Sequence, residues 1–312
     1  MDLSPIKLSS VIKDYLWGGT RLITDFNKKT ELEKAAESWE LSTHKDGASI
    51  VSTGSFAGKT LNSYIEENGK DCLGKRALEF DFFPILIKFI DAKDSLSIQV
   101  HPDDEYALEV EHEYGKTEMW YIVDSEKDSY IYYGLTKEIS RDEFKERIQN
   151  NTILEVLNKV PTKKGDVFFI ESGTIHAIGP GNHICEIQQN SNSTYRVYDY
   201  NRVGADGKTR ELHIDKAIEV TKLCPPNSDN NKQGNVLASC KYFTSEKLEC
   251  ENKTELFSDP DCFKSIIVLD GSGTLTMGDT VLELTKGDSV FIPAQDGKYI
   301  LDGKLDIILS YV

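Results

Sequence analysis

One short sequence pattern occurs twice in this chain and restricts its fold more than any other feature. Residues 165–170 read Gly-Asp-Val-Phe-Phe-Ile, and residues 287–292 read Gly-Asp-Ser-Val-Phe-Ile. In each copy a Gly-Asp pair precedes a run of β-forming side chains, and a tight turn is predicted to follow. The first copy continues to His176, whereas the second continues to Tyr299 without a histidine. The repeat predicts two related β-barrels, one with a functional site and one without.

Short apolar segments separated by turn residues continue through most of the chain, which favours a mainly β fold. Residues 84–90 and 95–100 are two of the predicted strands. A charged amphipathic helix is predicted after Ser140, whose hydroxyl can cap it, within a small helical insertion at about 136–160. After residue 242 the pattern predicts only short strands, split by Gly and Asp.

A polar, turn-rich stretch divides the chain. Residues 225–235 read Pro-Pro-Asn-Ser-Asp-Asn-Asn-Lys-Gln-Gly-Asn, a composition typical of a linker. We predict that residues 1–224 form the domain with the functional site and the helical insertion. Residues 225–241 are the predicted linker. Residues 242–312 are the predicted second barrel, which carries no site and covers apolar surface of the first.

The charge balance excludes two classes of partner. The chain has 312 residues, with 36 Lys and Arg against 52 Asp and Glu, which gives a formal net charge of −16. So acidic a surface repels nucleic acid and anionic lipid. No segment approaches the roughly 20 apolar residues of a membrane span, no signal peptide is visible, and the six cysteines form no Cys-x-x-Cys pair. We expect a cytoplasmic protein with reduced thiols, and neither nucleic acid nor membrane as a partner.

Polar and apolar residues alternate on the strand that ends near residue 101. Because neighbouring side chains of a strand point to opposite faces, Ser97, Gln99 and His101 share one face. Glu118 can face the same interior from a neighbouring strand, and His176 follows the first copy of the repeat. Two imidazoles, a carboxylate and an amide carbonyl suit a borderline divalent metal such as zinc. The alternative is that hydrogen bonds alone satisfy each histidine.

Six segments of the chain form a joint pattern: Trp17-Gly18-Gly19, Glu-Ser-Trp-Glu-Leu-Ser at 37–42, Leu-Ser-Ile-Gln-Val-His-Pro-Asp at 96–103, Lys-Thr-Glu-Met-Trp at 116–120, Gly-Thr-Ile-His-Ala-Ile-Gly at 173–179 and Tyr-Arg-Val-Tyr-Asp-Tyr at 195–200. This pattern resembles the class I mannose-6-phosphate isomerases of the short bacterial type, within the cupin superfamily. The resemblance is close over residues 5–220 and looser beyond them. It implies two cupin-like (jelly-roll) barrels and a zinc-dependent, reversible interconversion of mannose 6-phosphate and fructose 6-phosphate through a cis-enediol.

The resemblance also implies which residues form the site. It implies one zinc ion per chain, held by Gln99, His101, Glu118 and His176. Arg196 is implied as the active-site arginine, and Lys116 as a lysine at the sugar that assists proton transfer or binding. Trp17 and Ser42, which belong to the matching segments, are expected to contact the substrate. The C-terminal barrel is expected to hold no metal ligands.

A phosphosugar substrate needs local positive charge in so acidic a protein. Arg196, Lys116 and Lys88 can supply it, together with Arg202 or Arg210. We therefore expect Lys88 to bind the substrate. The alternative for Arg196 is a surface ion pair, and the alternative for Lys88 is a position at a strand end that reaches water.

Two positions depart from the family pattern. Gly115 stands where many members have a histidine, and Asn192 stands where many have an aspartate. Neither can act as an imidazole or a carboxylate, so the base for proton transfer is left open. Of the remaining histidines, His44 is expected to line the cleft, and His112 and His183 are expected in solvated loops.

Two other functions are consistent with the same residues. An iron dioxygenase of the same superfamily would use similar ligands, although such enzymes often have a third histidine where this chain has Gln99. A non-catalytic sugar-binding protein would keep the fold and lose the chemistry. The sequence leaves open the oligomeric state, the native metal and the pathway that the protein serves.

Overall fold

A computed structural model describes residues 3–204, 207–227 and 234–312. The described part is mainly β, as the sequence predicts. Before the predicted linker the strands are β1 (Ile6–Ser9), β2 (Val11–Lys13), β3 (Glu37–Leu41), β4 (Ile50–Val51), β5 (Ile85–Ala92), β6 (Ile98–Val100), β7 (Glu118–Ser125), β8 (Tyr130–Leu135), β9 (Leu157–Pro161), β10 (Val167–Ile170), β11 (His176–Ile178), β12 (Asn182–Gln189) and β13 (Tyr195–Tyr198). The later strands are β14 (Val236–Ser239), β15 (Thr244–Cys250), β16 (Thr254–Ser258), β17 (Lys264–Met277), β18 (Thr280–Thr285), β19 (Ser289–Ile292) and β20 (Gly297–Tyr311).

Helices are short and lie between the strands. The α-helices are α1 (Arg21–Thr24), α2 (Leu61–Asn68), α3 (Asp104–Val110), α4 (Arg141–Gln149) and α5 (Ile214–Val220). Single 3₁₀ turns occupy Gly54–Phe56, Lys70–Leu73, Ala77–Glu79 and Ile153–Val156. As predicted, Ser140 begins α4, and its hydroxyl accepts a hydrogen bond from the backbone N–H of Glu143 at 3.1 Å. None of the described helices is long and apolar enough to cross a membrane.

Two antiparallel sheets enclose the first interior. One has six strands in the order β10-β7-β12-β5-β3-β2, and the other has five in the order β13-β6-β11-β8-β9. Apolar side chains of both sheets meet between them, among them Ile90, Trp120 and Ile178. The sheets do not close into barrels. They pack face to face in a jelly-roll arrangement, so inward-pointing residues of both sheets converge.

The third sheet draws on both ends of the chain. It has nine strands in the order β14-β15-β20-β17-β19-β1-β4, with β16 paired to β20 and β18 paired to β17. Lys7 on β1 pairs with Val290 on β19, although the sequence pattern assigns residues 1–224 to one domain. The N-terminal strands thus cross the predicted boundary. The predicted linker at 225–241 falls partly on residues 228–233, which lie outside the described residues, and β14 occupies part of the rest.

Two strands after residue 242 are much longer than the sequence pattern indicates. Strand β17 has 14 residues and β20 has 15, so the prediction of only short strands is wrong. The register of β17 against β20 shifts between Val268 and Asp270, next to Gly271, which has a φ of +89°. Glycine and aspartate here mark a bulge that bends a continuous strand rather than ending it.

An apolar core joins the third sheet to the six-stranded sheet. Ile87 and Phe89 on β5 belong to the same cluster as Phe291 on β19 and Phe263, which directly precedes β17. The rings of Phe263 and Phe291 stack with centroids 5.3 Å apart. Because side chains alternate along β5, Lys88 points to the opposite face, towards the five-stranded sheet. The C-terminal strands therefore cover the apolar side of the six-stranded sheet and leave its polar side free for a site.

Candidate active site

Three buried side chains meet between the first two sheets. His101 directly follows β6, Glu118 begins β7 and His176 begins β11. His101 Nε2 lies 3.6 Å from Glu118 Oε2, and His176 Nε2 lies 3.4 Å from Glu118 Oε1. The candidate ligand atoms of all three lie within 4.8 Å of one another. The strand-face argument thus predicted the shared interior of His101 and Glu118, and His176 joins them from the strand after the first copy of the repeat.

Both histidines present the same ring nitrogen to this point. His101 Nδ1 lies 2.9 Å from the carbonyl oxygen of Ser193, and His176 Nδ1 lies 2.8 Å from that of Thr174. A carbonyl only accepts, so Nδ1 donates in both rings and Nε2 keeps its lone pair. Burial lowers the pKa of His101 well below its usual value and that of His176 to about 4. Neutral imidazoles with a fixed tautomer are the form that binds a metal.

The carboxylate of Glu118 is buried, and its charge is only partly compensated. Oε2 lies 2.8 Å from Lys116 Nζ, whereas Oε1 accepts no hydrogen bond from the described residues. Burial and the neighbouring Glu186 raise the pKa of Glu118, although Lys116 and Lys88 oppose this rise. The amide nitrogen of Gln99 lies 3.4 Å from His176 Nε2, so the amide group reaches the same point. A divalent cation would satisfy these donors, and the residues present therefore fit a metal.

Two buried lysines flank the carboxylates. Lys116 Nζ donates a hydrogen bond to His101 Nε2 at 3.1 Å and forms an ion pair with Glu118 Oε2 at 2.8 Å. Lys88 Nζ lies 3.3 Å from Glu186 Oε1. Burial opposes the charge of Lys88, but the neighbouring carboxylates raise its pKa above the usual value. Lys88 lies within β5 and is buried, so the alternative of a strand-end lysine that reaches water is not observed.

A cavity of about 260 Å³ opens beside these groups. The predicted site residues that line it are Trp17, Lys88, Gln99, Lys116 and Arg196. Ser42 is not among the lining residues. Its hydroxyl accepts a hydrogen bond from the backbone N–H of His44 at 3.1 Å, behind the wall of the cavity. Most of the lining is polar or charged, which suits a polar ligand.

Arg196 lies on β13 at the edge of this cavity and forms no ion pair within the described part of the chain. Its Nη1 donates to the carbonyl oxygen of Glu211 at 2.8 Å, and its Nε is buried without a partner. Burial and the nearby Arg210 lower the pKa of Arg196. Asp199, in contrast, is paired with Arg210 at 2.6 Å and with Arg202. The alternative of a surface ion pair is therefore not observed, and a guanidinium donor stays available to a ligand.

Three further lining residues are absent from the sequence prediction: Glu186, Glu37 and Tyr15. Glu186 Oε2 accepts a hydrogen bond from Trp120 Nε1 at 2.8 Å, while its Oε1 accepts none from the described residues. The signal for Glu186 was the alternation of polar and apolar residues along β12. Tyr15 has no such signal, because it lies in a loop where its ring packs 5.6 Å from that of Trp17.

His183 differs from its prediction. It was expected in a solvated loop, but it lies on β12 and its side chain is 0% exposed. Its ring packs 4.5 Å from that of Phe26 and 5.8 Å from that of Phe89, and neither ring nitrogen has a hydrogen-bond partner among the described residues. Burial lowers its pKa to about 3. Gly179 and Gly181, which precede His183, form a tight turn and not a long loop. Strand β12 therefore begins at Asn182, one residue before His183.

The other histidines agree only in part with the sequence. His112 is exposed, as expected. His44, which was expected to line the cleft, is buried and lines a second cavity of about 480 Å³ instead of the one beside His101, Glu118 and His176. His213 stands at the N-cap position of α5, and its Nδ1 accepts a hydrogen bond from the backbone N–H of Arg196 at 3.1 Å.

Packing accounts for both departures from the family pattern. A Cβ atom at Gly115 would lie 2.4 Å from the backbone of Asp103, the N-cap residue of α3. The close approach of α3 therefore excludes any side chain at this position. Asn192 lines the cavity beside the metal-binding residues, and its Nδ2 donates to Asp46 Oδ2 at 2.9 Å. Its amide thus serves a contact between two loops.

Two protein families match the chain. Residues 6–128 match the phosphomannose isomerase type I catalytic domain. Residues 233–312 match the mannose-6-phosphate isomerase cupin domain, which agrees with the cupin expectation for the C-terminal strands.

Full-length relatives agree with these families. A mannose-6-phosphate isomerase of Bacillus subtilis is 37% identical over 321 residues, and the match covers 100% of both chains. The crystal structure of the mannose 6-phosphate isomerase from Bacillus subtilis has a TM-score of 0.90 at 36% identity and covers 99% of this chain and 100% of its own. A structure described as holo, zinc-bound mannose 6-phosphate isomerase shares the fold, with a TM-score of 0.79 at 17% identity over 99% of each chain.

Proposed function

The chain belongs to the type I mannose-6-phosphate isomerases, and on this basis we propose that it interconverts mannose 6-phosphate and fructose 6-phosphate reversibly through a cis-enediol. The observation that carries this proposal is the buried group of His101, Glu118 and His176 next to a cavity lined by lysines and Arg196. The reaction moves a proton between C1 and C2 of the open-chain sugar. Such a step needs a base and stabilisation of the negative charge that develops on oxygen.

Zinc is the metal that we propose, with one ion per chain. The proposed ligands are Gln99, His101, Glu118 and His176. Two neutral imidazoles, a carboxylate and an amide form a set that zinc accepts, and the zinc-bound relative of the same fold is consistent with it. When bound, the ion would act as a Lewis acid that polarises the sugar carbonyl. Gln99 in place of a third histidine favours the isomerase over the dioxygenase.

Gly115 and Asn192 stand where other family members have candidate bases, so the base for proton transfer was left open. We assign this role to Glu186. Glu186 lines the cavity, and its Oε1 lies 3.3 Å from Lys88 Nζ and 3.8 Å from Lys116 Nζ. Burial opposes its charge, but Lys116 and Lys88 hold its pKa below the usual value. A charged carboxylate that lines the cavity can take a proton from one carbon and return it to the next.

The lysines and arginines of the cavity are the proposed ligands of the sugar and its phosphate. Lys116, between the carboxylates of Glu118 and Glu186, is placed to donate to a sugar oxygen near the reacting carbons. Lys88 contacts the substrate side of the cavity and keeps Glu186 charged. Arg196 and Arg210 line the same cavity and are the proposed phosphate ligands, because guanidinium groups match phosphate oxygens in pairs. Trp17 forms an apolar wall for the sugar, and we give Ser42 no substrate contact.

We also propose that the enzyme acts in the cytoplasm on the free phosphosugar. All six cysteines are free, as is usual in a reducing compartment. The net charge of −16 disfavours binding to nucleic acid or anionic lipid, so the small basic group at the cavity is the expected point of anion recognition.

A coupled assay together with metal analysis of the same sample tests this function. Two auxiliary enzymes convert the fructose 6-phosphate that is formed from mannose 6-phosphate. The second of them reduces a nicotinamide cofactor, and the reduced cofactor is measured. We expect turnover with about one zinc per chain, loss of turnover after chelation and recovery with added zinc. Mannose without phosphate serves as the control and should not react. Zinc binding without turnover would indicate a sugar-binding protein, and bound iron with oxygen consumption would indicate a dioxygenase.

A further inference from the structure

The loop between β12 and β13, residues 190–194, forms part of the wall above the proposed metal ligands. Asn192 and Thr194 line the cavity beside them. The carbonyl oxygen of Ser193 accepts the hydrogen bond from His101 Nδ1 at 2.9 Å. Because this acceptor is a backbone group, its position depends on the conformation of the loop and not on the side chain of Ser193. Whatever fixes the loop therefore also fixes the ring of His101.

Glu113 holds this loop from a segment distant in sequence. Its Oε2 accepts a hydrogen bond from the backbone N–H of Asn192 at 3.3 Å, one residue before Ser193. Its Oε1 lies 2.7 Å from Lys45 Nζ and 3.4 Å from His44 Nε2. The side chain of Glu113 is only 16% exposed, whereas that of Lys45 is 71% exposed. One carboxylate thus joins the segment after β3, the segment before β7 and the loop.

The other contacts of the loop are between neutral groups or lie at the surface. Asn190 Nδ2 donates to Thr43 Oγ1 at 3.0 Å, and Ser193 N donates to Ser191 Oγ at 3.2 Å. Asn192 Nδ2 reaches the exposed carboxylate of Asp46. Glu113 differs from these contacts because its carboxylate accepts from the backbone N–H next to Ser193 and is less exposed than that of Asp46, 16% against 45%. An ionised acceptor strengthens such a hydrogen bond, so Glu113 helps to fix the backbone before Ser193.

We propose that Glu113 is a positioning residue for the metal site, acting through Asn192 and Ser193 on His101. The proposal rests on the function proposed above, in which His101 binds zinc. Glu113 lines neither the cavity beside the metal ligands nor the metal cluster itself. Its effect is to keep the Ser193 carbonyl within reach of Nδ1–H, which leaves Nε2 as the metal-binding nitrogen. Partners of this kind orient metal-binding histidines and raise metal affinity.

The test is the zinc affinity of Glu113→Ala and Glu113→Gln in the full-length protein, measured by competition with a chromophoric chelator. We expect Glu113→Ala to bind zinc about tenfold more weakly, at the lower end of the effect of groups that orient a metal-binding histidine. Glu113→Gln still accepts from the N–H of Asn192 but does not pair with Lys45, so its zinc affinity should lie between those of the wild type and Glu113→Ala. The Tm of metal-free Glu113→Gln should match that of the metal-free wild type. A merely structural role of Glu113 would lower this Tm together with the zinc affinity.

Glu111→Gln is the matched control. Glu111 belongs to the same segment and accepts hydrogen bonds from the Tyr195 hydroxyl at 2.8 Å and from Lys216 Nζ at 2.6 Å, but it has no described contact with residues 190–194. Its zinc affinity should equal that of the wild type. The inference is wrong if Glu113→Ala stays within about twofold of the wild-type zinc Kd, or if Glu111→Gln loses as much affinity.

His101→Ala separates this inference from the function on which it rests. If His101→Ala keeps full zinc affinity, the metal site itself is misassigned. If His101→Ala loses zinc while Glu113→Ala and Glu113→Gln do not, the metal site stands and only the role of Glu113 is refuted.

Discussion

The two copies of the Gly-Asp repeat lead into interiors of opposite character. The first copy forms β10 and is followed by His176, which is buried among charged groups and other polar side chains. The second forms β19 and is followed by Tyr299, which is equally buried but lies in a cluster with Leu275 and Ile307. A similar strand and turn can therefore support a reactive interior or an inert one. The difference lies in the side chains that point inwards and not in the backbone.

The interior around His176 buries several charged groups, which costs free energy. Two lysines, Lys88 and Lys116, are buried there with three carboxylates, those of Glu37, Glu118 and Glu186. Pairing repays the desolvation of such groups only in part, so a cluster of this kind is a poor source of stability and a common feature of active sites. The interior around Tyr299 gains stability from apolar burial instead. The first region holds the candidate site, and the second contributes apolar burial that the first one lacks.

The most severe test of this division is to delete residues 242–312. The deletion removes β19, the partner of β1, and takes Phe263 and Phe291 out of the core shared with the six-stranded sheet. The exposed apolar face should cause aggregation, visible as loss of the monomeric or oligomeric peak in size-exclusion chromatography. A soluble and fully active fragment of residues 1–240 would show that the third sheet does not stabilise the site.

Removing a metal ligand should abolish function and leave the third sheet intact. In His101→Ala or His176→Ala we expect bound zinc to fall well below one per chain and turnover to be lost, because each change removes one of only two imidazole ligands of the proposed site. Metal analysis and the coupled assay measure both quantities. His112→Asn is the control, since His112 is exposed and has a φ of +56°, which asparagine tolerates. Full zinc occupancy in both alanine variants would refute the ligand assignment.

A smaller effect is expected from Arg196→Ala, which should separate chemistry from folding. If Arg196 binds the phosphosugar or the developing enediolate, its loss should lower kcat/KM by roughly 10²-fold, about 2.7 kcal/mol. Zinc content and Tm should barely change, because neither a metal ligand nor core packing is removed. Arg196→Lys should restore only part of the activity, since lysine keeps the charge and loses the planar pair of donors.

Arg147→Ala provides the matched control for Arg196. Arg147 lies on α4 and pairs with Glu143 at 2.9 Å and Glu155 at 3.2 Å on the surface. Its loss should leave kcat/KM unchanged, as is usual for surface ion pairs. Near-normal kcat/KM in Arg196→Ala with zinc still bound would remove Arg196 from the mechanism and make Lys116 the leading candidate.

The sequence predicted those parts of the site that depend on strand periodicity. Alternation along β6 placed Gln99 and His101 on one face, and the repeat pointed to His176. Glu186 lies on an equally regular strand, and the alternation there indicates a polar face without showing which of its residues lines the cavity. Ser193 could not be found at all, because its contribution is a backbone carbonyl. Contacts that depend on loop conformation leave no residue-type signal.

The fold was predicted in class but not in its connections. Many short β segments with turn residues indicated a mainly β protein, and the capping pattern at Ser140 located α4. The pairing of β1 with β19 joins residues more than 280 positions apart, and local patterns carry no information on such contacts. The same limitation explains the long strands, since Gly and Asp were expected to split this region into short strands. Instead, the register of β17 shifts between Val268 and Asp270, next to Gly271, and the strand continues. Tertiary context decides between these outcomes.

The smallest effect that we predict concerns His183, which stacks between Phe26 and Phe89 on the side of the six-stranded sheet that faces the third sheet. Burial and the nearby Arg21 lower its pKa to about 3, whereas an unfolded chain has the ordinary value near 6.5. Between these two values the unfolded chain binds a proton that the folded protein does not. The free energy of unfolding should therefore fall as the pH drops through this window, and the contribution is fully present only above about pH 6.5.

His183→Leu should remove this part of the pH dependence. In urea unfolding at pH 7.5 and pH 5, the wild type should lose about 2 kcal/mol more than the variant, because the protonation of one group over this interval is worth that much. His101 and His176 are present in both proteins, so their titration cancels in the comparison, and His112→Asn should behave like the wild type. Equal losses in the wild type and His183→Leu would mean that the folded protein accommodates a protonated His183. Asp25 and Asp124, which favour the charged form, would then outweigh burial, and the apolar side of this sheet would tolerate charge as the side with the metal ligands does.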